Sequence, residues 1–251
     1  MPNTLGTDKL SVQLYTIREA LGEDVDGSLG RLAAAGYKLV EPFAFQQFYD
    51  DLAAALPKYG LSAPTTHTGL YDADADEILA AAKELGIGCV ITPSTPHELW
   101  NDEAGISKIA DQLNAAAEKA AALGMTVGYH NHWFELEAQV NGKHGLEVFA
   151  DKLAPEVMLE VDTYWALVGG ADVPALLGRL GDRVQALHIK DGDGTRDNKK
   201  QVAVGQGSVP VWDYINAAPN LKWGVVELDD SAGDRFVAVE ESFGYLTGKA
   251  S

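Results

Sequence analysis

The chain alternates short runs of β-branched and aromatic residues with longer stretches that are rich in alanine and leucine. Each short run is bounded by polar loops and therefore predicts a strand. The eight predicted strands are Leu10–Tyr15, Leu39–Phe45, Ser62–His67, Cys89–Pro93, Thr126–His132, Met158–Asp162, Val184–Lys190 and Gly224–Leu228. Between them apolar residues recur at helical spacing, as in Ile109, Leu113 and Ala116. The pattern predicts eight repeats of a strand, a polar loop and a helix.

Five glycines stand where a predicted helix ends directly before the next strand. They are Gly36, Gly60, Gly86, Gly124 and Gly181. Glycine adopts the left-handed conformation that ends many helices, so we expect each of them to end a helix. Strands that alternate with helices in this way predict parallel pairing and right-handed crossovers.

The length of the chain favours a closed barrel. Eight strand–helix units in 251 residues match the size of a (β/α)₈ TIM barrel. An open, doubly wound sheet is the alternative, but the first predicted strand is not followed by a glycine-rich phosphate-binding loop. No linker-like stretch or change of composition divides the sequence, so we expect residues 1–251 to form one α/β domain.

Composition and charge narrow the class of partner. Hydrophobic residues make up 46% of the chain, which is enough for a sizeable core. The 37 acidic residues outnumber the 19 basic ones, and the formal net charge of −18 repels phosphate backbones and anionic lipids. We therefore expect neither nucleic acid nor a membrane as a partner.

Three further features favour a cytoplasmic protein. Cys89 is the single cysteine, so no disulfide can form within the chain. The segment Met1–Leu10 lacks the basic and then apolar layout of a signal peptide. No apolar run approaches the ~20 residues that span a bilayer.

The predicted strands end in an unusual number of ionisable side chains. In a TIM barrel the carboxyl ends of the strands and the loops after them build the active site. The candidates at these ends are Glu41, His67, His130, His132, Glu135, Asp162, His188, Lys190 and Glu227. Residues two apart in a strand share a face, so Glu160 points with Asp162, and Asp229 with Glu227.

Carboxylates and imidazoles without a thiolate suit a divalent cation such as Mn²⁺, Co²⁺, Mg²⁺ or Zn²⁺. Any one of these side chains is also an ordinary polar residue at a strand end. Burying several of them together is costly unless a metal ion or mutual pairing compensates. The sequence therefore predicts a metal centre at the barrel mouth.

Five sequence motifs carry a resemblance to a known family. They are YHNHWFE (Tyr129–Glu135), LEVDTYW (Leu159–Trp165), LHIKDGD (Leu187–Asp193), VGQGSVP (Val204–Pro210) and VVELDD (Val225–Asp230). In this order they resemble the xylose isomerase-like TIM barrels of sugar phosphate isomerases and epimerases, over nearly the whole chain. The resemblance implies one divalent ion, with Mn²⁺ expected first, held at the ends of the fifth to eighth strands. It assigns the last three ligand positions to Asp162, His188 and Glu227.

The fifth predicted strand departs from the family pattern. Epimerases of the family carry there a glutamate that is both ligand and acid/base, whereas this chain has His130. The favoured interpretation is that Glu135 reaches the metal and that His130 and His132 transfer protons. The alternatives are that His130 is the ligand and Glu135 contacts substrate, or that both histidines only pack at the rim.

The resemblance implies proton abstraction next to the carbonyl of a keto-sugar through an enediolate that a metal ion stabilises. A histidine suits proton transfer because its reference pKa lies near 6.5. Lys190 is a third catalytic candidate, since its ammonium could polarise the carbonyl. It could equally form a salt bridge with Glu41, Asp162 or Asp191.

The expected ligand is a small sugar. Candidate substrate-binding residues are Glu41, His67, Trp133 and Trp165, whose aromatic members could pack against a sugar ring or simply belong to the core. No arginine pair marks a phosphate site, and Arg196, Lys199 and Lys200 are the only basic cluster near the predicted site. The sequence therefore favours a sugar without phosphate. Whether copies of the chain form a homo-oligomer is left open.

We expect a metal-dependent isomerase or epimerase. The main alternative is a lyase or hydratase that expels a β-substituent from a 3-keto-sugar or keto-glycoside through the same enediolate. His130 in place of the family glutamate favours this alternative. An apurinic-site endonuclease is disfavoured by the charge of −18, and a catalytically inactive binding protein is the remaining possibility.

Overall fold

Seven parallel strands form one curled sheet in the computed structural model, which describes residues 3–249. They are β1 (Leu10–Val12), β2 (Thr65–His67), β3 (Cys89–Thr92), β4 (Thr126–His130), β7 (Met158–Asp162), β8 (Val184–Ile189) and β9 (Trp223–Val226). The spatial order is β1-β9-β8-β7-β4-β3-β2. A separate antiparallel hairpin consists of β5 (Gln139–Val140) and β6 (Lys143–His144).

The segment 38–43 closes the ring between β1 and β2. Its bridges are all parallel and isolated, and they pair Gln13 with Glu41, Leu39 with Ser62 and Phe43 with His67. The prediction of a regular strand over Leu39–Phe45 is wrong, because Pro42 has no N–H to donate and Ala44 turns to a left-handed φ of 40°. The other seven predicted strands are present: Met158–Asp162 has the predicted bounds, β9 begins one residue earlier and ends two residues earlier, and the remaining five are shorter than predicted. The predicted TIM barrel is confirmed.

Helices surround the barrel. They are α1 (Arg18–Glu23), α2 (Val25–Ala35), α3 (Tyr49–Tyr59), α4 (Ala75–Glu84), α5 (Glu103–Ala122), α6 (Phe134–Glu137), α7 (Gly145–Lys152), α8 (Thr163–Val168), α9 (Val173–Leu180), α10 (Val211–Asn216) and α11 (Arg235–Thr247). Short 3₁₀ turns cover Leu14–Ile17, Phe45–Phe48, His97–Trp100, Gly181–Arg183 and Asn198–Lys200. Within residues 3–249 no helix has the length and apolarity needed to cross a membrane.

The glycines predicted to end helices all adopt positive φ, from 57° at Gly181 to 112° at Gly36. This prediction is confirmed. The β5–β6 hairpin was not predicted, although its turn is Asn141-Gly142 with φ of 54° and 78°. An Asn-Gly pair is a strong signal for such a tight turn, but strands of two residues each are too short to show a period.

The interior of the barrel changes from apolar to polar along the strands. Cys89, Ile91, Met158 and Ala186 pack together as an apolar cluster. Two and four residues beyond Met158, β7 carries Glu160 and Asp162, both completely buried. The alternation of the strand therefore places acidic groups above an apolar base, toward the carboxyl ends of the strands.

Candidate metal centre and cavity

Three carboxylates surround one ammonium near the carboxyl ends of β7, β8 and β9. The Nζ of Lys190 lies 2.9 Å from Asp162 Oδ2, 2.8 Å from Glu227 Oε2 and 2.7 Å from Asp229 Oδ2. Although burial opposes it, these three carboxylates raise the pKa of Lys190 well above its usual value. We call Asp162, Lys190, Glu227 and Asp229 the upper tier.

Two imidazoles reach the upper tier. His188 places Nδ1 2.7 Å from Glu227 Oε2, and His130 places Nε2 3.8 Å from Asp162 Oδ2. One ligand atom from each of these four residues lies within 4.8 Å of the others, and all four residues are buried. The structure therefore brings together His130 with the three predicted ligands Asp162, His188 and Glu227.

Below lies a second set of charged groups, the lower tier, which consists of Glu41, His67 and Glu160. His67 Nε2 is 2.6 Å from Glu160 Oε2. The second nitrogen of His188, Nε2, is 2.9 Å from Glu41 Oε1 and 3.1 Å from Glu160 Oε2. The second nitrogen of His130, Nδ1, is 3.2 Å from Glu160 Oε2. Both imidazoles thus link the two tiers.

The pKa values of the two lower-tier carboxylates, Glu41 and Glu160, are shifted in opposite directions. Burial and the neighbouring charge of Glu160 raise the pKa of Glu41, while Gln13 donates to Glu41 Oε1 at 2.8 Å. Burial also acts to raise the pKa of Glu160, but the imidazoles of His188 and His67 hold it well below its usual range. Glu41 Oε2 and Glu160 Oε1 are buried without a hydrogen-bond partner.

The set of His130, Asp162, His188 and Glu227 fits a divalent cation. Two carboxylates and two imidazoles are ligands of the hard to borderline kind that Mn²⁺, Co²⁺ and Zn²⁺ accept. Asp162 Oδ2 is buried and makes no hydrogen bond, although Lys190 lies near it. Without a metal, the three carboxylates of the upper tier are balanced in part by Lys190 and in part by His188, because Glu160 and Glu227 raise the pKa of His188 well above its usual value although burial opposes this. A divalent ion would supply positive charge here in place of the His188 proton.

Glu135 lies outside both sets. Its Oε1 accepts a hydrogen bond from the Tyr129 hydroxyl at 2.8 Å, and its Oε2 accepts one from the His132 backbone N–H at 2.8 Å. Burial raises the pKa of Glu135 to about 8. Both oxygens therefore hold the chain that follows β4, and a role for Glu135 as a metal ligand stays a prediction.

His132 lines a cavity together with His67 and His130, but it does not belong to the four-residue ligand set. Its Nδ1 is buried without a hydrogen-bond partner. Burial, with a further contribution from Lys190, lowers the pKa of His132 to about 4. The imidazole is therefore neutral at pH 7 and able to accept a proton.

A cavity of about 440 Å³ opens above these groups. Its lining is Tyr15, Phe43, Ala44, Gln46, His67, Thr68, Gly69, Pro93, Ser94, His130, His132, Glu227 and Asp229. Imidazoles and carboxylates form one part of the wall. The rings of Tyr15 and Phe43 meet edge to face at 5.3 Å on another part, and Tyr15 is 39% exposed. Among these lining residues there is no lysine or arginine.

The predicted substrate-binding residues have different positions. His67 lines the cavity, whereas Glu41 lies in the lower tier. Trp165 is buried with Lys190 Nζ 5.5 Å from its ring centre, and Trp133 is covered by the Arg196 guanidinium at 3.7 Å. Neither tryptophan is among the residues that line the cavity.

The predicted basic cluster of Arg196, Lys199 and Lys200 forms ion pairs on the surface. Arg196 pairs with Glu137, and Lys199 Nζ is 2.6 Å from Asp230. Lys200 Nζ is 3.5 Å from Asp193. Each of these three basic side chains is therefore paired with a neighbouring carboxylate.

Sequence reasoning left two members of the tiers, and two glutamines that contact the tiers, out of the candidate site. Glu160 and Asp229 share a strand face with predicted ligands, and this period of two was a signal that could have identified them. Gln13 and Gln201 had no such signal. Gln201 donates from Nε2 to Asp229 Oδ2 at 2.8 Å and comes from a loop whose path only the fold reveals.

The fold and the site define a class: a (β/α)₈ barrel with a potential divalent-metal centre at the carboxyl ends of its strands. The sequence profile of the xylose isomerase-like TIM barrel family matches residues 29–228. The chain therefore belongs to this family. No curated protein sequence matches it.

Solved structures share the fold. A sugar phosphate isomerase/epimerase from Parabacteroides distasonis ATCC 8503 is 24% identical, with a TM-score of 0.81 over 97% of this chain and 94% of its own. The IOLI protein with a bound zinc atom is 15% identical, with a TM-score of 0.71 over 97% of this chain and 99% of its own. A probable 3-DHS dehydratase, AsbF, from Bacillus anthracis is 14% identical, with a TM-score of 0.72 over 95% of this chain and 98% of its own. The family and these structures include isomerase, epimerase and dehydratase enzymes.

Proposed function

We propose that this protein is a divalent-metal-dependent isomerase or epimerase of a keto-sugar. The observation that carries the proposal is the set of four buried ligand atoms, all within 4.8 Å of one another, of which His130 and Glu227 also line the cavity. The names of the similar isomerase/epimerase structure and of the zinc-containing structure support the same class.

We assign the fourth ligand position to His130. The alternative, Glu135, has both oxygens occupied by the Tyr129 hydroxyl and the His132 backbone. Moving Glu135 to a metal would remove the acceptor of the His132 backbone N–H, at a cost of about 1–3 kcal/mol, and would leave the Tyr129 hydroxyl with only Thr95 Oγ1 at 3.3 Å. His130 needs no such rearrangement, because its Nε2 already faces Asp162.

A divalent ion held by His130, Asp162, His188 and Glu227 would supply Lewis acidity to the substrate carbonyl. His132 accepts the proton from the carbon next to the carbonyl, because it lines the cavity and its imidazole is neutral at pH 7. Lys190 balances the charge of the upper tier through Asp162, Glu227 and Asp229 rather than reaching into the cavity. It acts here through the carboxylates that it orients.

The substrate class follows from the cavity wall. A phosphate group would meet Glu227 and Asp229 without a facing lysine or arginine among the lining residues, which is electrostatically unfavourable. The edge-to-face pair Tyr15 and Phe43 offers an apolar surface instead. The proposed substrate is therefore an uncharged keto-sugar or keto-glycoside.

One observation favours a lyase as the second candidate. The carboxylates that line the cavity, Glu227 and Asp229, both follow β9, while the facing groups from β2 and β4 are imidazoles. Epimerisation is served by two matched carboxylates on opposite faces of the substrate. Here both lining carboxylates follow the same strand, and this arrangement favours elimination. A dehydratase among the similar structures supports this candidate too.

Deuterium incorporation tests the function. The metal-free protein is incubated in heavy water with Mn²⁺ and a panel of uncharged ketoses and 3-keto-glycosides, each beside its phosphorylated counterpart where one exists. Mass spectrometry should show exchange of one substrate hydrogen that chelation abolishes. A new epimer identifies an epimerase. An unsaturated product that has lost its aglycone or one molecule of water identifies a lyase.

Variants test the assignments within the site. His132→Ala should keep Mn²⁺ and lose exchange by about 10²–10⁴-fold, whereas Asp162→Asn and His130→Ala should lose Mn²⁺. Glu135→Gln should keep it. Loss of Mn²⁺ in Glu135→Gln with retention in His130→Ala would reverse the ligand assignment, and no exchange with any substrate would refute the function.

A further inference from the structure

The two imidazoles of the metal centre each use both ring nitrogens, one in each tier. His188 directs Nδ1 to Glu227 at 2.7 Å and Nε2 to Glu41 at 2.9 Å. His130 directs Nε2 toward Asp162 at 3.8 Å and Nδ1 to Glu160 at 3.2 Å. The upper nitrogen is therefore Nδ1 in His188 and Nε2 in His130. In both rings one nitrogen contacts the upper tier and the other contacts the lower tier.

We infer that Glu160 and Glu41 are positioning residues that fix the tautomer and orientation of both imidazole ligands from beneath. This inference rests on the proposed function. A neutral imidazole has one N–H and one lone pair. A carboxylate that accepts the lower N–H leaves the lone pair on the upper nitrogen, where the ligand atoms Asp162 Oδ2 and Glu227 Oε2 lie.

Glu160 has the larger role because one of its oxygens serves three rings. Oε2 lies 2.6 Å from His67 Nε2, 3.1 Å from His188 Nε2 and 3.2 Å from His130 Nδ1. Glu160 is completely buried, so water does not compete for these bonds. Glu41 acts on His188 and is itself held by the side-chain amide of Gln13 at 2.8 Å.

A second metal ion in the lower tier is the competing explanation, since His67, His130, Glu160 and His188 also lie within reach of one ion. Occupation of both tiers would require His130 and His188 to bridge two ions through doubly deprotonated rings. A neutral ring that binds one ion and donates its other N–H to a carboxylate avoids this cost, and this arrangement is common around metal-bound histidines.

Mn²⁺ titration of the metal-free protein tests the role of Glu160. We expect one ion per chain in the wild type and an affinity lower by about 10–100-fold in Glu160→Gln. Glu41→Gln should show a smaller loss, because it removes an acceptor from one of the two rings. The matched control is Glu135→Gln, which changes an equally buried glutamate outside both tiers and should bind like the wild type.

The outcomes separate the two proposals. Unchanged affinity in Glu160→Gln, together with lost binding in Asp162→Asn, overturns the positioning role and leaves the metal centre in place. Two ions per chain also overturn it, because the lower tier would then be a ligand set. Absence of Mn²⁺ binding in the wild type refutes the metal centre itself and the inference with it.

Nitrogen-15 NMR of the Zn²⁺-loaded wild type gives a second measurement that does not depend on a variant's folding. The proton should be on Nε2 of His188 and on Nδ1 of His130. A proton on the opposite nitrogen of either ring would overturn the inference. In Glu160→Gln, if it folds, the His130 signals should change, which a purely structural role in packing would not cause.

Discussion

At the scale of single residues, Asp191 shows how one buried carboxylate organises the loop after β8. Its Oδ1 accepts hydrogen bonds from the backbone N–H of Gly192 at 2.8 Å and Val209 at 3.0 Å. Its Oδ2 accepts from Gly205 at 2.9 Å and Gly207 at 3.0 Å. The loop after β8 therefore folds around this side chain, which is 1% exposed.

We predict that Asp191→Asn lowers the free energy of unfolding by about 2–3 kcal/mol. The amide keeps one acceptor oxygen, but its NH₂ group faces two backbone donors that lose their partner. Urea unfolding of the metal-free protein measures the effect. Asp193→Asn in the same loop is the control, since Asp193 is exposed, and a loss of similar size there would contradict the explanation.

At the scale of elements, two glycines end helices in different surroundings. Gly36 follows α2 with a φ of 112°, and a Cβ built on it would lie 2.6 Å from the ring of Phe243. Gly60 follows α3 with a φ of 64° and has nothing within 4 Å of a built Cβ. The first position needs glycine for both conformation and space, and the second for conformation alone.

Replacement by alanine separates these two requirements. Gly60→Ala should cost about 1 kcal/mol for the left-handed conformation, and Gly36→Ala about 3 kcal/mol because overpacking against Phe243 adds to it. Chemical denaturation of both variants gives the comparison. Equal losses would show that the ring of Phe243 moves aside without cost.

At the scale of the whole molecule, the net charge of −18 opposes the compact state through self-repulsion. Exposed ion pairs such as Lys58–Asp26 act in the opposite direction, but each contributes little. We therefore expect added salt to stabilise the protein. The Debye length, over which exposed charges interact, falls from about 30 Å at 0.01 M salt to about 10 Å at 0.1 M salt, so the self-repulsion weakens.

The expected rise in Tm between these salt concentrations is about 2–4 °C, which corresponds to about 1 kcal/mol for a chain of this size. Calorimetry of the chelator-treated protein in NaCl and in choline chloride measures it without a contribution from bound metal. A fall in Tm in both salts would show that ion pairs outweigh the self-repulsion.

The barrel and the strand ends that carry the candidate site could be predicted from the amino-acid sequence. Apolar runs and glycine helix ends are local signals, so the fold could be predicted from them. The period of two placed His188 and Lys190 on one face of β8, and the family motifs pointed to Asp162, His188 and Glu227, which the structure brings together with His130.

Contacts between side chains of different strands could be read only from the folded barrel. The sequence favoured Glu135 over His130 as the metal ligand, but in the fold both Glu135 oxygens accept hydrogen bonds, from the Tyr129 hydroxyl and from the His132 backbone N–H. Glu41 and Glu160 are 119 residues apart, and their common contact with His188 depends on barrel closure through the irregular segment 38–43. Local patterns set each residue's face, whereas the curvature of the closed sheet sets its partners.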